Sequence, residues 1–144
     1  MKPTTRILAL CTLALALAPA PARAETVVAT VNAERARHDL PPLKPSPHLR
    51  RSADRFAHRL MREDRFAHES RIPASRTHFH HLGEALALHF GPERGPATTV
   101  HAWLRSPPHR RLLLTRTMNL IGAGEARGTF RGRQATIHVL HLAR

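Results

Sequence analysis

Residues 119–142 read NLIGAGEARGTFRGRQATIHVLHL, and this stretch decides the fold class. Residues 119–126 and 136–142 alternate apolar and other positions at a period of two, the pattern of a half-buried strand. In the second segment Ile137, Val139 and Leu140 carry the apolar signal. The intervening residues 128–133, with glycine at both 128 and 132, predict a turn and hence a hairpin. Most of the chain upstream has a different period. Residues 27–37 carry apolar side chains at 27, 28, 31 and 36, which suits a short helix ended by His38-Asp39 and Pro41-Pro42. In residues 47–62, Leu49, Ala53, Phe56, Ala57, Leu60 and Met61 share one helical face. Ser46 followed by Pro47 is a favoured helix start. Residues 69–81 read as loop, and residues 83–90 as a strand or a helical turn. Residues 97–104 predict a third helix with Trp103 and Leu104 in the core, and residues 109–114 a fourth after Pro107-Pro108. Helices first and strands last make an α+β domain.

The chain has 144 residues, which suits one domain. Its first segment is set apart. Lys2 and Arg6 precede an apolar run at residues 7–17, then Pro19, Pro21 and the small-x-small triplet Ala22-Arg23-Ala24. This is the pattern of a secretory signal peptide, and the run is shorter than the ~18–20 residues that span a bilayer. The expected organisation is a signal at residues 1–24 and one domain at residues 25–144, in the periplasm or outside the cell. Cys11 gives a weak lipoprotein signal, since Leu10 is bulky where a small residue is wanted. Cys11 is also the one cysteine, so a disulfide framework is excluded.

Removing 24 residues leaves 120, and losing Lys2, Arg6 and Arg23 lowers the net charge from +13 to +10. Nearly all the basic residues are arginine, dispersed among acidic and apolar positions without a block. Anionic surfaces are attractive partners for such a charge. Nucleic acid is disfavoured, because aromatic residues are few and tyrosine is absent. The 12 histidines make the chain more cationic in mild acid.

Several segments taken together resemble the CAP superfamily, the cysteine-rich secretory, antigen 5 and pathogenesis-related proteins with their SCP-like bacterial relatives. They are Val31-Asn32-Ala33-Glu34-Arg35 with Leu40-Pro41-Pro42-Leu43, then Phe66-Ala67-His68-Glu69-Ser70, then Gly83-Glu84. Trp103-Leu104-Arg105-Ser106-Pro107-Pro108-His109-Arg110 follows, close to W-x-x-S-P-x-H-R, then Leu113-Leu114 and Ile121-Gly122-Ala123-Gly124. The order is the family's across nearly the whole domain. Ala85 and Leu112 stand where the family commonly has asparagine. The resemblance implies an α–β–α sandwich, with helices flanking a small antiparallel sheet. It also implies a cleft that gathers His68, Glu84 and His109.

Two imidazoles and a carboxylate suit a divalent ion such as Zn²⁺ with open positions. His80 and His81 could add ligands; His78, His89 and His101 are outside the motifs. The resemblance implies an exported, monomeric module that binds a small ligand, a lipid or a cell-envelope component, without enzymatic activity. The alternative is a peptidase-like hydrolase using Ser106 or a metal-activated water with Glu84, although no nucleophile elbow is present. Expressed in a bacterial host with intact export, the mature chain is expected to begin at Glu25 by intact-mass spectrometry; a chain retaining residues 1–24 overturns the signal assignment.

Overall fold

The computed structural model describes residues 23–69, 72, 79–92 and 94–144. The signal segment lies outside them, apart from its last two residues. The elements run α1 (Arg23–Arg37), β1 (Lys44–Pro45), α2 (Pro47–Arg62), β2 (Leu82–Phe90), α3 (Pro96–Arg105), α4 (Pro107–Leu113), β3 (Leu120–Phe130) and β4 (Arg133–Ala143). The sheet order is β1-β3-β4-β2. β3 and β2 both run antiparallel to β4, while β1 pairs in parallel with the first two residues of β3. The expected antiparallel sheet is therefore mixed. The parallel strand forms because Lys44 N–H and Ser46 N–H donate to the Asn119 and Ile121 carbonyls at 2.8 Å each, across the break that the prolines impose.

The 16-residue α2 matches its sequence expectation at both ends. The Ser46 side chain accepts from Leu49 N–H, and Pro47 needs no donor in the first turn. Leu49, Ala53, Phe56, Ala57, Leu60 and Met61 are all buried. All but Leu49 pack on the sheet with Leu86, Ala126, Phe130, Ile137 and Val139, while Leu49 packs with Ala143. This face of β3 is built from small residues. A Cβ at Gly122 would stand 2.1 Å from Arg50 N, and one at Gly124 2.2 Å from Asp54 N, so the helix backbone lies directly on the strand backbone. Just past the helix, Asp64 takes a left-handed φ of 48°, and Asp64 Oδ1 accepts the Arg131 N–H at 2.8 Å.

That contact ties α2 to the β3–β4 turn, which is tighter than the sequence suggested. Phe130 pairs with Arg133, leaving Arg131 (φ 49°) and Gly132 (φ 75°) as a two-residue turn. Two successive left-handed residues match the twist of the flanking strands. Gly128 belongs to the strand, not the turn: a side chain there would press on Met61 Cγ at 3.3 Å.

α1, α3 and α4 cover the opposite face. Val27, Val31, Val100, Trp103 and Leu113 pack there with Ala85, Ala87, Ile121, Ala123, Leu140 and Leu142. Trp103 Nε1–H donates to the Leu86 carbonyl at 2.9 Å, which satisfies the indole inside this core. Arg35 is fully buried and donates to the carbonyls of Pro41 (3.0 Å), Leu113 (2.7 Å) and Thr115 (3.1 Å). Asn32 exchanges two hydrogen bonds with the Leu43 backbone. The Asn32 and Arg35 motif positions thus hold α1 to the chain that returns into β1 and to the end of α4.

Gly124→Ala is expected to destabilise the domain by about 3 kcal/mol or more, because the obstructing atoms are helix backbone and cannot swing aside. Gly95→Ala, where a Cβ meets nothing within 4 Å, should stay within about 0.5 kcal/mol of wild type. Urea unfolding of both variants checks this.

Candidate functional site

Glu84 lies on β2 directly opposite His141 on β4, and its side chain is only 5% exposed. A carboxyl group at that depth needs partners for both oxygens. Oε1 lies 2.7 Å from His68 Nδ1 and accepts the Glu69 N–H at 3.3 Å. Oε2 lies 3.1 Å from His141 Nε2. Glu84 is thus the hub joining the segment after α2 to the central sheet. His68 is 57% exposed, so the cluster runs from solvent into the core.

His109, two residues into α4, brings its ring centre to 6.0 Å from that of His68 at a 47° tilt. It is half-buried. Its pKa falls below the usual 6.5, first because burial disfavours the cation and second because His68 is close. The three residues drawn from distant motifs therefore converge at the β2 edge of the sheet, where the segment after α2 meets α4. They do not form a ready metal cage. Among the described residues no group of three or more His, Cys, Asp or Glu is placed to hold a metal ion. Glu84 instead stands behind His68, in the position of a carboxylate that orients an imidazole.

Ser106 joins α3 to α4. Its N–H donates to the Trp103 carbonyl at 3.1 Å and its carbonyl accepts from Arg110 N–H at 2.8 Å, while its side chain makes no capping bond. These are the bonds of a helix junction. His80 and His81 are exposed and pair through their backbones with Arg144. His89 bonds Thr99 at 3.0 Å, and His101 lies 3.7 Å from Glu34 on α1. His78 lies outside the described residues.

The residue that sequence reasoning missed is His141. It is fully buried, its ring is stacked 6.4 Å from Phe56, and its Nδ1 has no hydrogen-bond partner. The available signal was a polar residue inside the apolar strand Ile137–Leu142, but only the strand register sets it against Glu84. The two positions without the family's asparagine also find an explanation. Ala85 is fully buried, and Leu112 covers Gly83 so closely that a Cβ there would meet its Cδ1 at 2.2 Å. Ala85 belongs to the apolar layer beneath α3 and α4, and Leu112 packs against that layer from α4.

The sequence profile of the cysteine-rich secretory protein family, CAP, matches residues 28–139. The chain belongs to the CAP family. No curated protein matches it by sequence. Solved structures share the fold. An outer surface protein from Borrelia burgdorferi is 21% identical with a TM-score of 0.68, covering 83% of this chain and 90% of its own. An extracellular SCP-domain protein from Bacillus anthracis is 19% identical with a TM-score of 0.66, covering 85% of this chain and 40% of its own. Venom allergen-like protein 4 from Schistosoma mansoni is 14% identical with a TM-score of 0.61, covering 86% and 89%. This CAP domain lacks cysteine throughout its described residues, so packing and buried hydrogen bonds replace cross-links.

Burial, followed by the nearby charge of Arg94, lowers the pKa of His89 as well. For both lowered histidines the unfolded chain takes up its proton first. Stability is therefore full above about pH 6.5 and declines as pH falls through the lowered values. Tm is expected to drop between pH 7.5 and 5.5. The His109 ring titration followed by NMR should fall below 6.5 and move up in His68→Ala; a Tm that is flat or rises on acidification contradicts the assignment.

Proposed function

We propose that this CAP domain is exported and serves as a non-enzymatic binding module of the cell envelope. The carrying observation is the form of the Glu84 cluster. A buried carboxyl group with both oxygens engaged holds one exposed imidazole beside a second, at the sheet edge. That arrangement presents fixed donors and acceptors to a ligand. Glu84 orients the His68 imidazole, but among the motif residues no hydroxyl nucleophile is partnered with it, since Ser106 sits at the α3–α4 junction with no bond to either histidine. Export is supported by the basic, apolar and small-x-small succession of residues 1–24, and by likeness to an extracellular bacterial SCP-domain protein. No helix among the described residues is long and apolar enough to cross a membrane.

A divalent ion such as zinc is a second occupant of the same place, favoured by the carboxylate behind His68 and by the 6.0 Å separation of the two rings. His68 and His109 would be its ligands, with Glu84 orienting His68. The ion would supply a Lewis-acidic anchor for an oxygen-bearing ligand. The serine form of the hydrolase alternative needs a partnered nucleophile that none of the motif residues supplies, and its metal form would need a water activated at the same ion.

Native mass spectrometry of the protein recovered from its envelope fraction tests these readings together. A small-molecule adduct is expected on wild type and should be lost in His68→Ala/Glu84→Ala. A zinc-sized adduct lost in the same variant would support the second occupant. Turnover of peptide or ester substrates that is abolished by Glu84→Gln would overturn the non-enzymatic reading.

A further inference from the structure

Glu84 and the two histidines that meet it form one chain of polar contacts running from the core to the solvent. His141 pairs in register with Glu84 on β2 and with Gly122 on β3, so the three share one row of the sheet. α2 rests on Gly122, and Phe56 from that helix stacks on the His141 ring at an interplanar angle of 21°. The ring is fully buried. Its Nε2 lies 3.1 Å from Glu84 Oε2, while its Nδ1 has no hydrogen-bond partner among the described residues. No ligand reaches a ring at that depth, so whatever His141 contributes to the site passes through Glu84.

The positions of the protons follow from counting donors. Glu84 Oε1 accepts the Glu69 N–H at 3.3 Å. An ionised carboxylate accepts and never donates, so both neighbouring ring nitrogens must bring hydrogens. His141 Nε2–H then donates to Oε2, and His68 Nδ1–H donates to Oε1 at 2.7 Å. The opposite tautomer of His141 is worse on two counts. It sets two acceptors against each other at Oε2, and it strands the Nδ1–H donor in an apolar core. Moving a proton onto Oε2 would strand the same Nδ1–H. The geometry around His141 therefore admits one arrangement without an unpaired buried donor.

We infer that His141 is a positioning residue: its Nε2–H occupies Glu84 Oε2, and this leaves Oε1 to hold His68 in the Nδ1–H tautomer. His68, 57% exposed, then turns a bare Nε2 lone pair toward solvent. Free histidine prefers the reverse, with its hydrogen on Nε2, so the outward face of the site is set from the core. Beside it stands His109, whose pKa is lowered by burial and then by His68, which keeps it neutral at pH 7. A ligand at this edge must bring an O–H or N–H donor to His68, and an anionic acceptor finds no partner there. This deepens the binding-module reading and rests on it for the ligand; the tautomer itself depends on no ligand.

Long-range proton–nitrogen NMR of the imidazole rings, recorded on the full domain at about pH 8 where ordinary imidazoles are neutral, reads both tautomers directly. Wild type is expected to carry hydrogen on His141 Nε2 and on His68 Nδ1, the latter favoured at least about tenfold, as one hydrogen bond to a charged group supports. His141→Leu should lose that preference, with His68 returning toward Nε2–H. His141→Gln keeps an amide N–H for Oε2 and should restore it. A purely structural His141 would change Tm in these variants and leave the His68 tautomer alone. Phenol, with anisole as the same ring lacking the donor, should shift the His68 Nε2 resonance in wild type and in His141→Gln. Hydrogen on His68 Nε2 or on His141 Nδ1 in wild type overturns the inference, whether or not His141→Leu folds. An Nδ1–H tautomer that persists in folded His141→Leu overturns it too. No shift with phenol, or an equal one with anisole, overturns the polarity assigned to the ligand. A locked tautomer with no adduct in the envelope fraction counts against the binding reading alone.

Discussion

The structure depends on how closely α2 approaches β3. Gly122 and Gly124 leave no room for side chains, so the backbone of the helix at Leu49, Arg50, Ala53 and Asp54 rests on the strand itself. Such contact fixes both the height and the register of the helix, because a slip of one residue would drive a Cβ into the backbone. The end of α2 is set in turn, through Asp64 and the Arg131 N–H. The segment carrying His68 and Glu69 leaves from that fixed point and reaches Glu84. The glycine pattern of β3 and the geometry of the candidate site are consequences of the same packing.

The other face is held differently. There Arg35 is buried whole, and its guanidinium gathers the carbonyls of the loop after α1 and of the chain that leaves α4. A buried guanidinium is costly unless its donors are satisfied. Once satisfied it acts as a multipoint tie, in a domain whose described residues hold no disulfide. Because α4 is anchored at its C-terminal end in this way, its first turn delivers His109 to the sheet edge where His68 arrives from the opposite layer. The cleft is the meeting of two layers, each fixed by its own constraint. The apolar replacements Ala85 and Leu112 close the space beneath it.

The polar groups between α2 and the sheet follow a gradient of satisfaction. Glu84 is saturated. His141 is half-satisfied, and Ser52 Oγ and Glu69 Oε2 have no partner. Strongly satisfied groups hold a structure together, and unsatisfied ones are where a ligand gains most by arriving. The Glu84 hub is of the first kind, and it positions its neighbours.

Much of this was legible in the sequence. The α2 boundaries, its buried face and the Ser46 cap follow from local rules of spacing and capping. The α+β class follows from the change of period near residue 119. His68, Glu84 and His109 were legible as members only through the order of motifs, since their separations carry no periodic signal. The tertiary structure alone decided the rest. It drew the parallel β1 from a proline-rich break, and kept Gly128 in a strand because Met61 lies over it. It set His141 against Glu84 by strand register, and placed Glu84 behind His68 instead of beside it. Local pattern records which face of an element is apolar; which two polar groups meet across that face depends on register and layer packing, and these exist only once the whole chain has folded.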